Sequence, residues 1–164
     1  MLRHPPDADE YNAVPAAVTD NDGHRVYFYP RYCLNIALYN LQRPELVQLY
    51  SVLNGEALSP THPAHNFFIG RHMRNWEMIC SMNWILPTGV DEERFYDLYT
   101  LAMSAMDGLQ YRWLGDDSMN LLEEWMSISD IIFPPSEWAG FTDPSEYDPA
   151  PDRCLLPFTL SARQ

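Results

Sequence analysis

Asp91-Glu92-Glu93-Arg94-Phe95-Tyr96-Asp97-Leu98-Tyr99-Thr100-Leu101-Ala102-Met103-Ser104-Ala105-Met106-Asp107-Gly108-Leu109-Gln110-Tyr111-Arg112-Trp113-Leu114-Gly115 is the stretch on which the fold class turns. Asp91 is a good N-cap, and Glu92 and Glu93 place negative charge at the positive end of a helix dipole. Val90 and Phe95 are spaced as a hydrophobic staple. Phe95, Leu98, Tyr99, Ala102, Met106, Leu109 and Trp113 then recur at helical period on one face. The other face is nearly uncharged from Leu98 to Leu109, with Asp107 the exception. A helix apolar around most of its circumference must be covered on both sides, here by the core and by a second copy of the chain.

The next helix is expected over 118–132, after the candidate caps Asp116, Asp117 and Ser118. Its polar residues Asn120, Glu123, Glu124, Ser127 and Asp130 form one solvated strip. Leu121, Leu122, Trp125, Met126, Ile128 and Ile132 crowd the remainder, again more apolar surface than one core contact needs. On the N-terminal side, Leu34, Ala37, Leu38 and Leu41 predict a helix over 32–41. Pro44 suits the first turn of another, with the stripe Leu46, Leu49, Tyr50 and Leu53 and a stop at Asn54-Gly55. A longer helix is expected from Pro63 to about Ile85, with Phe68, His72, Trp76 or Asn75, Ile79, and Asn83 or Met82 on its stripe, ended by Pro87-Thr88-Gly89.

Residues 1–27 read as an N-terminal helix and loop segment broken by Pro5, Pro6 and Pro15, with Thr19-Asp20-Asn21-Asp22-Gly23 as a loop. Residues 134–164 read as an irregular, acidic, proline-rich tail, because Pro134, Pro135, Pro144, Pro149, Pro151 and Pro157 prevent long helices. No alternating strand pattern of convincing length occurs. The expectation is an all-α bundle of five to six helices over 28–133.

Composition narrows the function. The 164 residues carry a net charge of −13, and all ten basic residues are arginine. Such a chain repels a phosphate backbone, so nucleic acid is not expected to bind through its own field. No apolar run is long enough to span a bilayer, and Met1-Leu2-Arg3-His4-Pro5-Pro6-Asp7 has no signal-peptide character. Cys33, Cys80 and Cys154 are scattered, making neither a disulfide framework nor a metal knuckle. The expected location is the cytoplasm. No nucleophile motif, phosphate loop or paired-carboxylate constellation occurs, so neither an enzyme nor a cofactor is expected.

His62, His65 and His72 invite a metal reading. His65 and His72 lie two helical turns apart, however, and no carboxylate or cysteine at the next turn completes a site. A capping role for His62 and a polar pocket role for His72 are the better expectations. Phe67, Phe68, Trp76, Met73, Met78 and Met82 suit either plain core packing or a ligand cavity, and Met103 and Met106 are adaptable fillers for either. Asp107 is expected to pair with Arg112 or with a polar group across a dimer, and Gly108 to permit close helix approach.

Three segments carry a resemblance. They are Gln42-Arg43-Pro44-Glu45-Leu46-Val47-Gln48-Leu49-Tyr50, His62-Pro63-Ala64-His65-Asn66-Phe67-Phe68 and Ala105-Met106-Asp107-Gly108-Leu109-Gln110-Tyr111-Arg112-Trp113-Leu114. In this order and spacing they resemble the C-terminal domain of TetR-family transcriptional regulators, over 28–132. Leu2-Arg3-His4 resembles the start of the helix that links that domain to its DNA-binding head. Tyr111, Arg112 and Gly115 depart from the more aliphatic residues usual in the family.

The resemblance implies a homodimer whose last two helices form a four-helix bundle with their mates, through Asp107, Gln110, Tyr111, Leu114, Leu121, Leu122 and Trp125. It also implies a pocket for a small, largely apolar effector lined by Ile36, Tyr50, Phe68, His72, Trp76, Ile79, Met103 and Met106. DNA would be read only through a helix-turn-helix head, whose basic clustering and patterning this chain lacks. A second expectation is an interaction module that heterodimerises with an intact relative through the 95–132 surface and blocks its DNA binding.

Overall fold

The computed structural model describes residues 16–142 and the backbone of 155–156. Seven helices are present among these residues, together with a small sheet. The sheet corrects the all-α expectation. Strands β1 (Ala17–Thr19) and β2 (Arg25–Phe28) form an antiparallel hairpin in which Val18 faces Val26. Its loop is held by the Asp20 carboxylate, which accepts from the Asp22 and His24 amides at 3.0 and 2.8 Å. Gly23, at φ 83°, makes the reversal. β3 (Asn83–Ile85) runs parallel to β2, with Val26 opposite Asn83, and β4 (Leu155–Leu156) pairs antiparallel to β3.

Helices α1 (Tyr29–Leu41) and α2 (Pro44–Glu56) each begin with proline in the first turn. α2 runs through Asn54-Gly55 instead of stopping there, and Ala57 caps it. The expected helix from Pro63 to Ile85 is three elements: α3 (His65–Ile69), α4 (Arg71–Cys80) and strand β3. His72, Trp76 and Ile79 keep the helical period within α4. Trp84 then leaves it, and its indole Nε1 donates back to the Ile79 carbonyl at 2.7 Å.

Pro87-Thr88-Gly89-Val90 is a tight turn, closed by a Val90 N–H to Pro87 carbonyl bond of 3.1 Å with Gly89 at φ 92°. It leads into α5 (Glu92–Gly115), where the Asp91 carboxylate accepts from the Arg94 amide at 2.9 Å. α6 (Leu121–Ile132) is capped by Asn120, whose side chain accepts from the Leu122 and Glu123 amides. Asp116 instead holds the preceding turn through the Ser118 amide and hydroxyl.

The beginning of the proline-rich segment is packed, a correction to the tail expected from 134 onward. α7 (Pro135–Trp138) buries Trp138 completely, its ring 5.0 Å from Phe133. Residues 143–164 of that segment, apart from β4, and the Leu2-Arg3-His4 stretch lie outside the described residues.

The main core lies where α1, α4, α5 and α6 meet the inner face of β3. Tyr29 is its hub, with Phe95 at 4.9 Å, Trp84 at 5.3 Å and Phe133 at 5.7 Å, all three edge-on. The α5 stripe does what its spacing predicts. Phe95, Tyr99, Ala102, Met106 and Leu109 are buried, and Leu98 and Trp113 are half-buried. No helix among the described residues is long and apolar enough to cross a membrane.

Candidate functional site

A cleft of ≈ 500 Å³ opens between α1, α2, α4 and α5, a size suited to a small organic ligand. Each wall contributes residues one helical turn apart, which stack on one face of their helix. α1 supplies Ile36, Tyr39 and Asn40; α2 supplies Leu46, Val47, Tyr50, Ser51 and Asn54. α4 supplies Arg71 and Asn75, and α5 supplies Met103, Met106, Asp107, Gln110 and Tyr111. α1, α2 and α5 mix apolar and hydrogen-bonding groups along their walls, whereas the α4 wall is wholly polar.

α2 makes this space because it packs lightly. Val47 is its single buried residue, whereas Leu49 and Tyr50 of the expected apolar side are 45% and 42% exposed. The helix therefore touches α5 without closing the space between them. Arg43, just before α2, lies over the Tyr39 ring at 4.0 Å and donates to the Tyr39 carbonyl, tying the α1–α2 corner behind the cleft.

Across the cleft, Arg71 Nη2 donates to Asp107 Oδ2 at 2.7 Å, joining α4 to α5. Asp107 thus pairs with Arg71, not with the expected Arg112. Its side chain is 55% exposed, so its charge is solvated as well as paired. Gly108 beside it faces open space, with nothing within 4 Å of where a Cβ would stand. Within this chain it permits no close helix approach.

The structure splits the eight residues expected to bind ligand. Ile36, Tyr50, Met103 and Met106 line the cleft. Phe68 stands behind Tyr50, with ring centres 5.9 Å apart. His72, Trp76 and Ile79 point to the other side of α4, into the core: Trp76 is ringed by Phe95, Tyr96 and Tyr99, and Ile79 is 1% exposed. The Tyr99 hydroxyl donates to the His72 carbonyl at 2.9 Å, while Tyr96 Oη and Thr100 Oγ1 stand 3.4 Å from His72 Nε2. Burial pushes the Tyr99 hydroxyl up to about 12, with the Arg71 charge pulling the other way.

The seven residues expected at a dimer interface are split too. Asp107, Gln110 and Tyr111 line the cleft, Leu114 and Leu122 are half-buried, and Leu121 and Trp125 are fully buried in the chain's own core. Those last two face inward because α6 turns Leu121, Trp125 and Ile132 towards α1 and α5. The apolar residues that α5 and α6 leave outside are Leu101, Tyr111, Met126 and Ile131.

The histidines do not gather. His62 Nδ1 accepts from the Ala64 amide at 3.1 Å, a cap for the turn before α3, and His65 Nδ1 donates to the Ala57 carbonyl at 2.7 Å. Asp20, Asp22 and His24 do bring ligand atoms within 4.8 Å of one another, on the exposed hairpin loop.

Sequence reading passed over Tyr39, Asn40, Ser51 and Arg71, and named Asn54 only as part of a helix stop and Asn75 only as an alternative on a helix stripe. The available signal was a row of polar residues one turn from apolar ones: Asn40 after Ile36, Ser51 after Val47, Gln110 after Met106. No family model, curated protein or solved structure matches the chain.

Proposed function

We propose that this chain is the effector-binding and dimerisation domain of a TetR-like transcriptional regulator, with the cleft between α1, α2, α4 and α5 as the effector site. The observation that carries the reading is the cleft itself: ≈ 500 Å³, walled by four helices and lined by apolar and polar side chains together. The amides of Asn40, Asn54, Asn75 and Gln110 suit an effector with polar atoms on an apolar body, more polar than composition alone suggests. A ligand held between α4 and α5 favours one spacing of these helices, and by linkage whatever that spacing controls alters ligand affinity equally.

Support for self-association is the exposed apolar set on the last two long helices, with Tyr111 at 73% and Ile131 at 79%. The same surface favours a second reading, pairing with a related but different chain. Native mass spectrometry of the freshly purified protein tests the proposal. The expected result is a species of twice the 19.1 kDa chain mass carrying extra mass of carried-over ligand, with Ile36→Trp losing that extra mass. A monomer that retains nothing and binds nothing on screening sinks the proposal. A heterodimer formed on co-expression with a related regulator, without a homodimer, selects the second reading.

A further inference from the structure

We infer that the ligand of this cleft carries a carboxylate, received by the open side of the Arg71 guanidinium while its apolar body lies on Ile36, Val47 and Met106. The inference rests on the reading of the cleft as a ligand site and names the chemistry of what enters it.

Arg71 is the one cation lining the cleft. Arg74, the nearest other cation on α4, is turned away, bonded to the Phe67 carbonyl and lying over the Phe67 ring. Of its five N–H donors Arg71 uses one, a single bond from Nη2 to Asp107 Oδ2. The rest of the planar fork has no hydrogen-bond partner among the described residues. Neither has the Asn75 amide one turn along α4, nor the Gln110 amide one turn beyond Asp107. An unfilled guanidinium fork flanked by two amide donors matches a planar, two-oxygen acceptor.

The alternative, an ammonium received by Asp107, is disfavoured by the asymmetry of the pair. Arg71 is the more enclosed partner at 27% exposure, against 55% for Asp107. An acid that takes over Arg71 releases Asp107 into water, where an exposed carboxylate is readily solvated. An amine that takes over Asp107 leaves the guanidinium enclosed without its counter-charge. Exchange is therefore easy for an anion and hard for a cation. No covalent chemistry is involved; the acid lands on the unfilled donors of Arg71 and loosens its single bond to Asp107.

The test uses the full chain and matched probes: a carboxylic acid, its methyl ester and the corresponding amine, on phenylbutyl, indolyl and decyl bodies. Binding is followed by calorimetry and by the ¹⁵N–¹H signals of Arg71 Nε and the Asn75 side-chain amide. The acids are expected to shift both signals. Arg71→Gln is expected to weaken them about tenfold or more. Asp107→Asn, which removes the resident competitor, is expected to tighten acid binding by about two- to fivefold. Circular dichroism confirms that both variants fold.

Acid binding weakened by Asp107→Asn, or amines preferred to acids, overturns the carboxylate inference. Esters or amines that move the Asn75 signal without the Arg71 signal overturn it too, yet leave the cleft standing as a ligand site. Probes that move neither signal remove both.

Discussion

The two ends of α5 face two differently built regions. At its N-terminal half Phe95 and Tyr99 enter an aromatic cluster with Trp76, Trp84 and Tyr29, with ring centres 4.9–5.8 Å apart. At its C-terminal half Met103, Asp107, Gln110 and Tyr111 border the open cleft. The helix and its period are the same throughout. What changes is the neighbour: Trp76 of α4 and Trp84 of β3 close over the first half, while the cleft beside lightly packed α2 opens at the second. Aromatic edges interlock and leave no room, whereas methionines, amides and a solvated ion pair tolerate an empty space beside them.

Truncating each region tests that contrast most sharply. Trp84→Ala removes a fully buried indole and its 2.7 Å bond to the Ile79 carbonyl. It should cost about 3–5 kcal/mol in urea denaturation. A loss near that of a surface substitution would mean the aromatic cluster is not the stabilising region.

Alkaline pH strains the same region. Burial pushes the Cys33 thiol up from 9.0 to about 12, and the Tyr99 hydroxyl from 10.0 to about 12. Both groups stay protonated in the fold while the unfolded chain releases their protons, so stability is full below pH 9 and falls as pH rises towards 12. Urea midpoints measured from pH 8 to 11 should decline, and Cys33→Ala should make the decline shallower, with Cys80, pushed by burial from 9.0 to about 11, keeping its onset. A flat profile would show that these groups are less enclosed than their contacts indicate.

Gly108→Ala probes the outward face of the second region. The open space beside Gly108 accepts a methyl group, and the helix should gain about 1 kcal/mol. If the outer face of α5 is where two chains meet closely, the same methyl weakens the dimer. A more stable chain with unchanged self-association places the contact elsewhere.

The smallest effect is expected inside the cleft. Asn75→Ala should change stability by no more than about 0.5 kcal/mol. A large loss would show that the cleft closes on its own residues in solution. The contrast with Trp84 would then disappear.

Much of the helical frame was legible because caps and periods are local. Asp91, Pro44 and the Phe95–Leu109 stripe each declare themselves within a few residues. The sheet was not. β2 offers only Val26 and Phe28 as inward residues, and Trp84 falls on the continuing period of α4, so strands of three and four residues leave too few alternations to separate from a helix. A turn-rich loop flanked by Ala17-Val18 and Val26-Tyr27-Phe28 was the hairpin signal available.

The cleft was half legible. Ile36, Tyr50, Met103 and Met106 were reached, whereas Trp76 and Ile79 lie one helix face away. Periodicity says which residues share a face. It does not say whether the neighbouring helix fills the space before that face. The ion pair of Arg71 with Asp107 joins residues far apart in the chain, and nothing local to either announces it.

The parallel pairing of β2 with β3 has a kinetic consequence. Four helices lie between these strands, so the seam closes a long loop that local contacts alone cannot reward. The α1–α2 and α5–α6 pairs form from neighbouring segments, but Val26 meets Asn83 only after α4 has brought the chain back. On a ribosome the N-terminal hairpin would wait, with one edge unpaired, until β3 emerged. The rate at which that edge is covered, more than the final stability of the fold, would govern how much of the newly made chain escapes aggregation.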